Sequence, residues 1–144
     1  KDDASDGEPL QMASAPVVLT IEDDAEMNKL LQELLAVHGL ESLPAYSGTE
    51  ALEVYQHFGA HAVLLDLMLP KLDGFETCRR LRQQCPRGTP IVIVTALDSD
   101  DCREKCIQAG ADAYFCKPFD PEEVIETIER LLERSEGGRD DSSP

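Results

Sequence analysis

Along the 144 residues, runs rich in apolar and β-branched side chains alternate five times with stretches of helical periodicity. This alternation constrains the fold more than any other feature. A strand, a helix and a second strand in the same sheet require a crossover, and repeated crossovers build a mostly parallel sheet with helices on both faces. The runs fall at residues 17–21, 40–46, 62–66, 90–95 and 111–116. The third, Ala62-Val63-Leu64-Leu65, is wholly apolar and ends in Asp66, as a strand buried on both faces would. Pro44 assigns the second run to a sheet edge, because proline cannot donate to a central ladder.

Helices are expected between the runs. The first has Asp24 as N-cap, an apolar pattern at Met27, Leu30, Leu31, Leu34, Leu35 and His38, and Gly39 as its stop. The second opens at Ser47-Gly48-Thr49 and carries Ala51, Leu52, Val54, Tyr55 and Phe58. The third covers residues 74–84, with Phe75, Cys78 and Leu81 on one side and Arg79, Arg80 and Arg82 mostly outward. Asp98, Asp100 and Asp101 place acid at the start of the fourth, which ends at Gly110, and Asp120-Pro121 opens the fifth, with Val124, Ile125, Ile128, Leu131 and Leu132 as its stripe. The expected class is α/β: a flavodoxin-like (βα)5 doubly wound sheet of five parallel strands in the order 2-1-3-4-5. One domain is expected over residues 17–134, with a flexible tail at 1–16 and a tail or linker start at 135–144.

Acidic residues outnumber basic ones 29 to 13, which argues against direct binding to nucleic acid or an anionic membrane. No stretch has the length of a membrane helix or the pattern of a signal peptide, so a cytoplasmic location is expected. The five cysteines, Cys78, Cys85, Cys102, Cys106 and Cys116, show no CxxC and no histidine at ligand spacing. They read as small, partly buried side chains in a reducing compartment, with Cys102 and Cys106 able to share a helix face.

Parallel strands present their C-terminal ends on one side. In the expected order, strands one and three are neighbours, so Glu22 and Asp23 converge with Asp66. Alone, Asp66 could equally cap the next helix or turn. Three gathered carboxylates repel by on the order of 4 kcal/mol per close pair at an effective dielectric near 20, so a proton, a lysine or a divalent cation must compensate. An oxygen-rich site with few protein ligands suits Mg²⁺. Lys117 and Thr95 end strands on the same rim. An acid that accepts a phosphoryl group, with a cation, an ammonium and a hydroxyl around it, makes sense for phosphoryl chemistry. Two related site types fit poorly. A flavin-phosphate loop after strand one would here be Glu22-Asp23-Asp24, and a haloacid-dehalogenase-type phosphatase wants a second aspartate where Met68 stands.

The segments IEDD (21–24), LLDLMLPKLDG (64–74), VTA (94–96), GADAY (110–114) and KPF (117–119) together resemble the response-regulator receiver domain of two-component signalling, the chemotaxis-regulator-like family. The resemblance covers about residues 17–134. It implies that Asp66 is the phosphoacceptor and that a histidine kinase or histidine phosphotransfer protein is the donor. It implies that Glu22, Asp23, Asp66 and the backbone carbonyl of Met68 organise Mg²⁺, and that Lys117 binds a phosphoryl oxygen and pairs with the acids beforehand. Thr95 and Tyr114 would be the switch pair, and the Lys117–Pro118 bond would be cis. Glu22 stands where Asp is commoner. Met68 and Leu97 occupy positions that tune acyl-phosphate lifetime, and neither can orient an attacking water, so slow decay is expected. Ala113 replaces an aspartate usual in winged-helix regulators, which puts their characteristic dimer in doubt.

Two functions remain. The first is a phosphorylation switch that alters the surface of helix four, strand five and helix five for a downstream partner or effector domain, catalysing only its own phosphorylation and dephosphorylation. The second is a Mg²⁺-dependent aspartyl-phosphate phosphohydrolase, disfavoured by Met68 at the acid/base position. The output is left open, and so is whether the segment stands alone or belongs to a longer regulator or hybrid kinase.

Overall fold

The computed structural model describes residues 15–67, 73–86, 88–96 and 99–142, with backbone alone from 135 onward. The strands are β1 (Val17–Ile21), β2 (Glu41–Ala45), β3 (Ala62–Asp66), β4 (Ile91–Thr95) and β5 (Ala113–Cys116). The helices are α1 (Ala25–Val37), α2 (Gly48–Phe58), α3 (Gly74–Gln84), α4 (Asp100–Gln108) and α5 (Pro121–Ser142). All strand pairings are parallel and the order is β2-β1-β3-β4-β5, as the alternation required. Pro44 lies on the edge strand.

Alternate residues of each central strand enter two apolar layers. Leu19, Ile21, Val63, Leu65, Ile91 and Ile93 face Ala51 of α2, Cys78 and Leu81 of α3, and Cys102 and Cys106 of α4. Val18, Ala62, Leu64, Val92 and Val94 face Leu31 and Leu35 of α1 and Val124, Ile125 and Ile128 of α5. Each fully buried Leu, Ile or Val contributes roughly 1.5–3 kcal/mol, and this two-sided burial holds the strand ends in line. All five cysteines are free thiols, and all but the half-buried Cys116 are buried.

Local chemistry sets the helix starts. Asp24 Oδ1 accepts from the N–H groups of Glu26 and Met27, Ser47 Oγ from Glu50, Asp73 Oδ1 from Glu76, Ser99 Oγ from Cys102, and Asp120 Oδ1 from Glu122. Gly74 is required by close approach: a Cβ there would clash with the Leu67 backbone. Its absence lets α3 start directly against the chain leaving Asp66.

The structure departs from the sequence expectations in five places. The stripe of α1 is rotated: Asn28, Leu31 and Leu35 are buried, while Leu30 is exposed. Phe58 is exposed at the end of α2. Arg82 turns inward, donating to the carbonyls of Thr89 and Gly110 and to Asp112. β5 starts at Ala113, because the Asp112 carboxylate takes the Ile91 N–H and Arg82 instead of extending the strand. The α5 backbone stays helical to Ser142, through most of the expected tail and past Gly137-Gly138. Met68, Leu97, Asp98 and the first 14 residues lie outside the described residues.

Candidate functional site

The acids reach the rim on two adjacent strands. β1 ends at Ile21, and Glu22 follows, its N–H donating to Ala45 O at 3.0 Å. Asp66 is the last residue of β3, beside β1. Carboxylate oxygens of Glu22, Asp23 and Asp66 lie within 4.8 Å of one another. Glu22 and Asp66 are each only 2% exposed, whereas Asp23 is open to solvent.

Lys117 follows β5, two strands away from Asp66. Its ammonium donates to Glu22 Oε1 and Asp66 Oδ2, both at 3.1 Å. Its backbone N–H donates to Thr95 O at 2.6 Å, which ties the end of β5 to the end of β4. The Lys117–Pro118 peptide is cis. Thr95 is fully buried at the end of β4. Tyr114 is 9% exposed, on the same face of the neighbouring strand, opposite Ile93.

The electrostatics reflect crowded acids. Burial and the charge of Asp66 push Glu22 up to about 7, against the pull of the Asp24 N–H and Lys117. Burial acts against the Lys117 ammonium, but the charges and hydrogen bonds of Asp66 and Glu22 outweigh it and leave its pKa above the ordinary value. Burial, with the hydrogen bond to Cys102, raises the Tyr114 hydroxyl.

A divalent cation fits this donor set. The ligands are oxygens only, they are few, and they carry more negative charge than one ammonium balances. The structure thus brings together the expected Glu22, Asp23, Asp66 and Lys117, with Thr95 and Tyr114 on the adjoining strands.

Asn28 was missed by the sequence reading. It is fully buried, and its Nδ2 donates to Glu22 O at 3.0 Å and to Ala45 O at 3.1 Å, so it anchors the backbone from which the Glu22 carboxylate projects. The available signal was an amide three and seven residues before the apolar Leu31 and Leu35 on one helix face. Among the described residues no helix is long and apolar enough to cross a membrane.

Comparison with known proteins agrees with this geometry. Residues 18–129 match the family model described as the response regulator receiver domain. The probable transcriptional regulator ycf27 of Porphyridium aerugineum is 37% identical over 117 residues, covering 81% of this chain and 48% of its own length. The alkaline phosphatase synthesis transcriptional regulatory protein PhoP of Bacillus subtilis is 39% identical over 119 residues, covering 83% and 49%. The chain therefore spans about half the length of these curated relatives. A CheY-like receiver domain protein from Methanospirillum hungatei superposes with TM-score 0.82 at 27% identity, covering 87% of this chain and 99% of the other. The BeF3-activated receiver domain of Klebsiella pneumoniae RstA gives TM-score 0.75 at 34% identity, covering 81% and 97%. With its parallel sheet, its acids gathered at the strand ends and a family match over most of its length, the chain belongs to the response regulator receiver domain family of two-component signalling.

Proposed function

We propose that Asp66 accepts a phosphoryl group from a phosphohistidine on a histidine kinase or histidine phosphotransfer protein. The observation that carries this reading is the Lys117 ammonium bonded to Glu22 and Asp66 together, with Asp23 in the same cluster. An Asp66 carboxylate oxygen attacks phosphorus, the donor's phosphorus–nitrogen bond breaks, and the imidazole leaves with the electron pair. Asp66 then carries an acyl phosphate.

Charge in such a transfer is spread over the three outer phosphoryl oxygens. Lys117 stands within hydrogen-bond distance of Asp66 and takes one of them, while Glu22 holds the ammonium in place. The Thr95 hydroxyl takes another. Glu22, Asp23, Asp66 and the Met68 carbonyl that the family resemblance adds would hold Mg²⁺, which would neutralise phosphoryl charge. Thr95 and Tyr114 form the switch: Thr95 moves to the phosphoryl group, and the inward orientation of Tyr114, 9% exposed here, is favoured in concert. The altered surface of α4, β5 and α5 is then read by a downstream partner or effector domain. The transcriptional regulators among the relatives, twice as long as the matched region, support an effector domain as the reader. The phosphorelay belongs to the cytoplasm. Met68 and Leu97 offer no hydrogen bond to an attacking water, so the acyl phosphate decays slowly; a half-life of seconds would overturn that point.

The test is acetyl phosphate with Mg²⁺, followed by intact mass. Wild-type protein is expected to gain one phosphoryl group, and Asp66→Asn protein or chelated samples none. A gain that survives Asp66→Asn would withdraw the acceptor role.

A further inference from the structure

Tyr114 is held by α4 at two points. The guanidinium carbon of Arg103 lies 4.7 Å from the centre of the Tyr114 ring, a distance at which a cation is drawn to an aromatic face. The hydroxyl of Tyr114 is hydrogen-bonded to the thiol of Cys102, the neighbouring residue on α4. Cys102 is buried and Arg103 is exposed, so the ring is gripped from inside by the thiol and covered from outside by the guanidinium. The same helix is tied to the site. Its N-cap, Ser99, comes soon after Thr95, the last residue of β4. Thr95 pairs with Cys116 and Ile93 pairs with Tyr114, so Thr95 and Tyr114 lie one step apart on one face of adjacent strands.

We propose that Arg103 is a positioning residue that holds Tyr114 in its inward orientation and thereby couples the placement of α4 to the state of the phosphoryl site. The proposal rests on the reading of Asp66 as phosphoacceptor and of Tyr114 as the partner of Thr95. A ring that swings outward leaves the guanidinium and the Cys102 thiol behind. The contacts therefore favour one orientation, which is what biasing a two-state element requires. By linkage, whatever favours the inward ring also favours the phosphorylated state, by at most the same factor. A cation–aromatic contact at an exposed site shifts such a balance about two- to fivefold.

The experiment uses the whole chain with isotope-labelled tyrosine and the variants Arg103→Ala, Arg103→Lys, Tyr114→Ala and Arg103→Ala/Tyr114→Ala. Cooperative thermal unfolding first establishes that each variant is folded. Aromatic NMR on unphosphorylated protein reads the Tyr114 orientation. Arg103→Ala is expected to lower the ratio of inward to outward ring about two- to fivefold, and Arg103→Lys to recover most of it, because an ammonium also binds the ring face. With acetyl phosphate and Mg²⁺, the ratio of phosphorylated to free protein at plateau falls in Arg103→Ala, by no more than that factor, and the effect disappears in the Tyr114→Ala background. An unchanged Tyr114 spectrum in Arg103→Ala, or an equal loss of plateau with and without Tyr114, overturns the proposal. The NMR arm needs no phosphorylation, so a chain that takes no phosphoryl group overturns the acceptor reading while the spectrum still decides the role of Arg103.

Discussion

Asn28 and Lys117 both reach Glu22 at the C-terminal end of β1, one at its backbone carbonyl and the other at its carboxylate. Around Asn28 everything is neutral and matched. Its Oδ1 accepts from Thr20 Oγ1 at 2.8 Å and Gln32 Nε2 at 2.9 Å, and its Nδ2 faces the carbonyls of Thr20, Glu22 and Ala45 at 3.0–3.2 Å. A saturated buried network of this kind rigidifies: it pins α1 to β1 and β2. Around Lys117 the groups are charged and mismatched. Two carboxylates share its ammonium, a third, Asp23, stands beside them, and Glu22 is driven toward its protonated form. A polar group that is fully partnered serves the fold, whereas acids crowded beyond local compensation leave negative charge that a cation can offset.

Four changes can break or sharpen that contrast. The largest effect is expected at Lys117. Replacing it by alanine removes the donor aimed at Asp66, and phosphorylation by acetyl phosphate should slow at least ~100-fold, as for loss of a transition-state donor. Rate measurement by intact mass checks this, and a loss below tenfold would make Lys117 a structural counter-ion. Next is Asn28→Ala, which strips buried carbonyls of their donor. Unfolding in urea should show a loss of about 3 kcal/mol, and a midpoint equal to wild type would show that water replaces the amide.

Glu22→Gln should act in the opposite direction. It relieves the repulsion with Asp66, so metal-free protein gains about 1 kcal/mol at pH 8 in the same urea assay, while its Mg²⁺ affinity falls about tenfold. Destabilisation without metal would remove the distinction between the two regions.

The smallest effect concerns Cys78, an apolar-layer thiol pushed up to about 11 by burial. The native state holds this proton more tightly than the unfolded chain does, so its contribution is complete below the ordinary value of 9.0 and is lost as pH rises through about 11. By pH 10 the loss should reach about 1 kcal/mol, read as a falling urea midpoint whose slope flattens in Cys78→Ala. A pH-independent difference between wild type and variant would sink it.

Much of this was legible because periodicity and punctuation are local. Apolar runs of strand length at 62–65 and 91–94, a proline in the second run and N-caps at Asp24 and Asp120 led to the sheet order. The order alone placed Glu22, Asp23 and Asp66 at one rim. Less legible was the rotation of α1 about its axis. Asn28 and Leu30 sit in the same periodic stretch, and packing against the sheet decided that the amide would be buried and the leucine exposed. Arg82 misled for a similar reason: its charge suggested solvent, but the carbonyls of Thr89 and Gly110 came within reach only after α3, β4 and the turn before β5 had assembled.

By itself, the amino-acid sequence determined the class of fold, the strand order, and which acids, hydroxyl and lysine stand at the strand ends, since all of these follow from short-range patterns and the parallel rule. Tertiary structure alone decided which oxygens the Lys117 ammonium bridges, Glu22 Oε1 and Asp66 Oδ2, that Asn28 locks the backbone beneath Glu22 and that Arg103 covers Tyr114. The physical reason is reach. Lys117 lies 95 residues from Glu22 and 51 from Asp66 in the chain, and contacts of a few ångströms across such separations exist only once the apolar layers have fixed every strand in register.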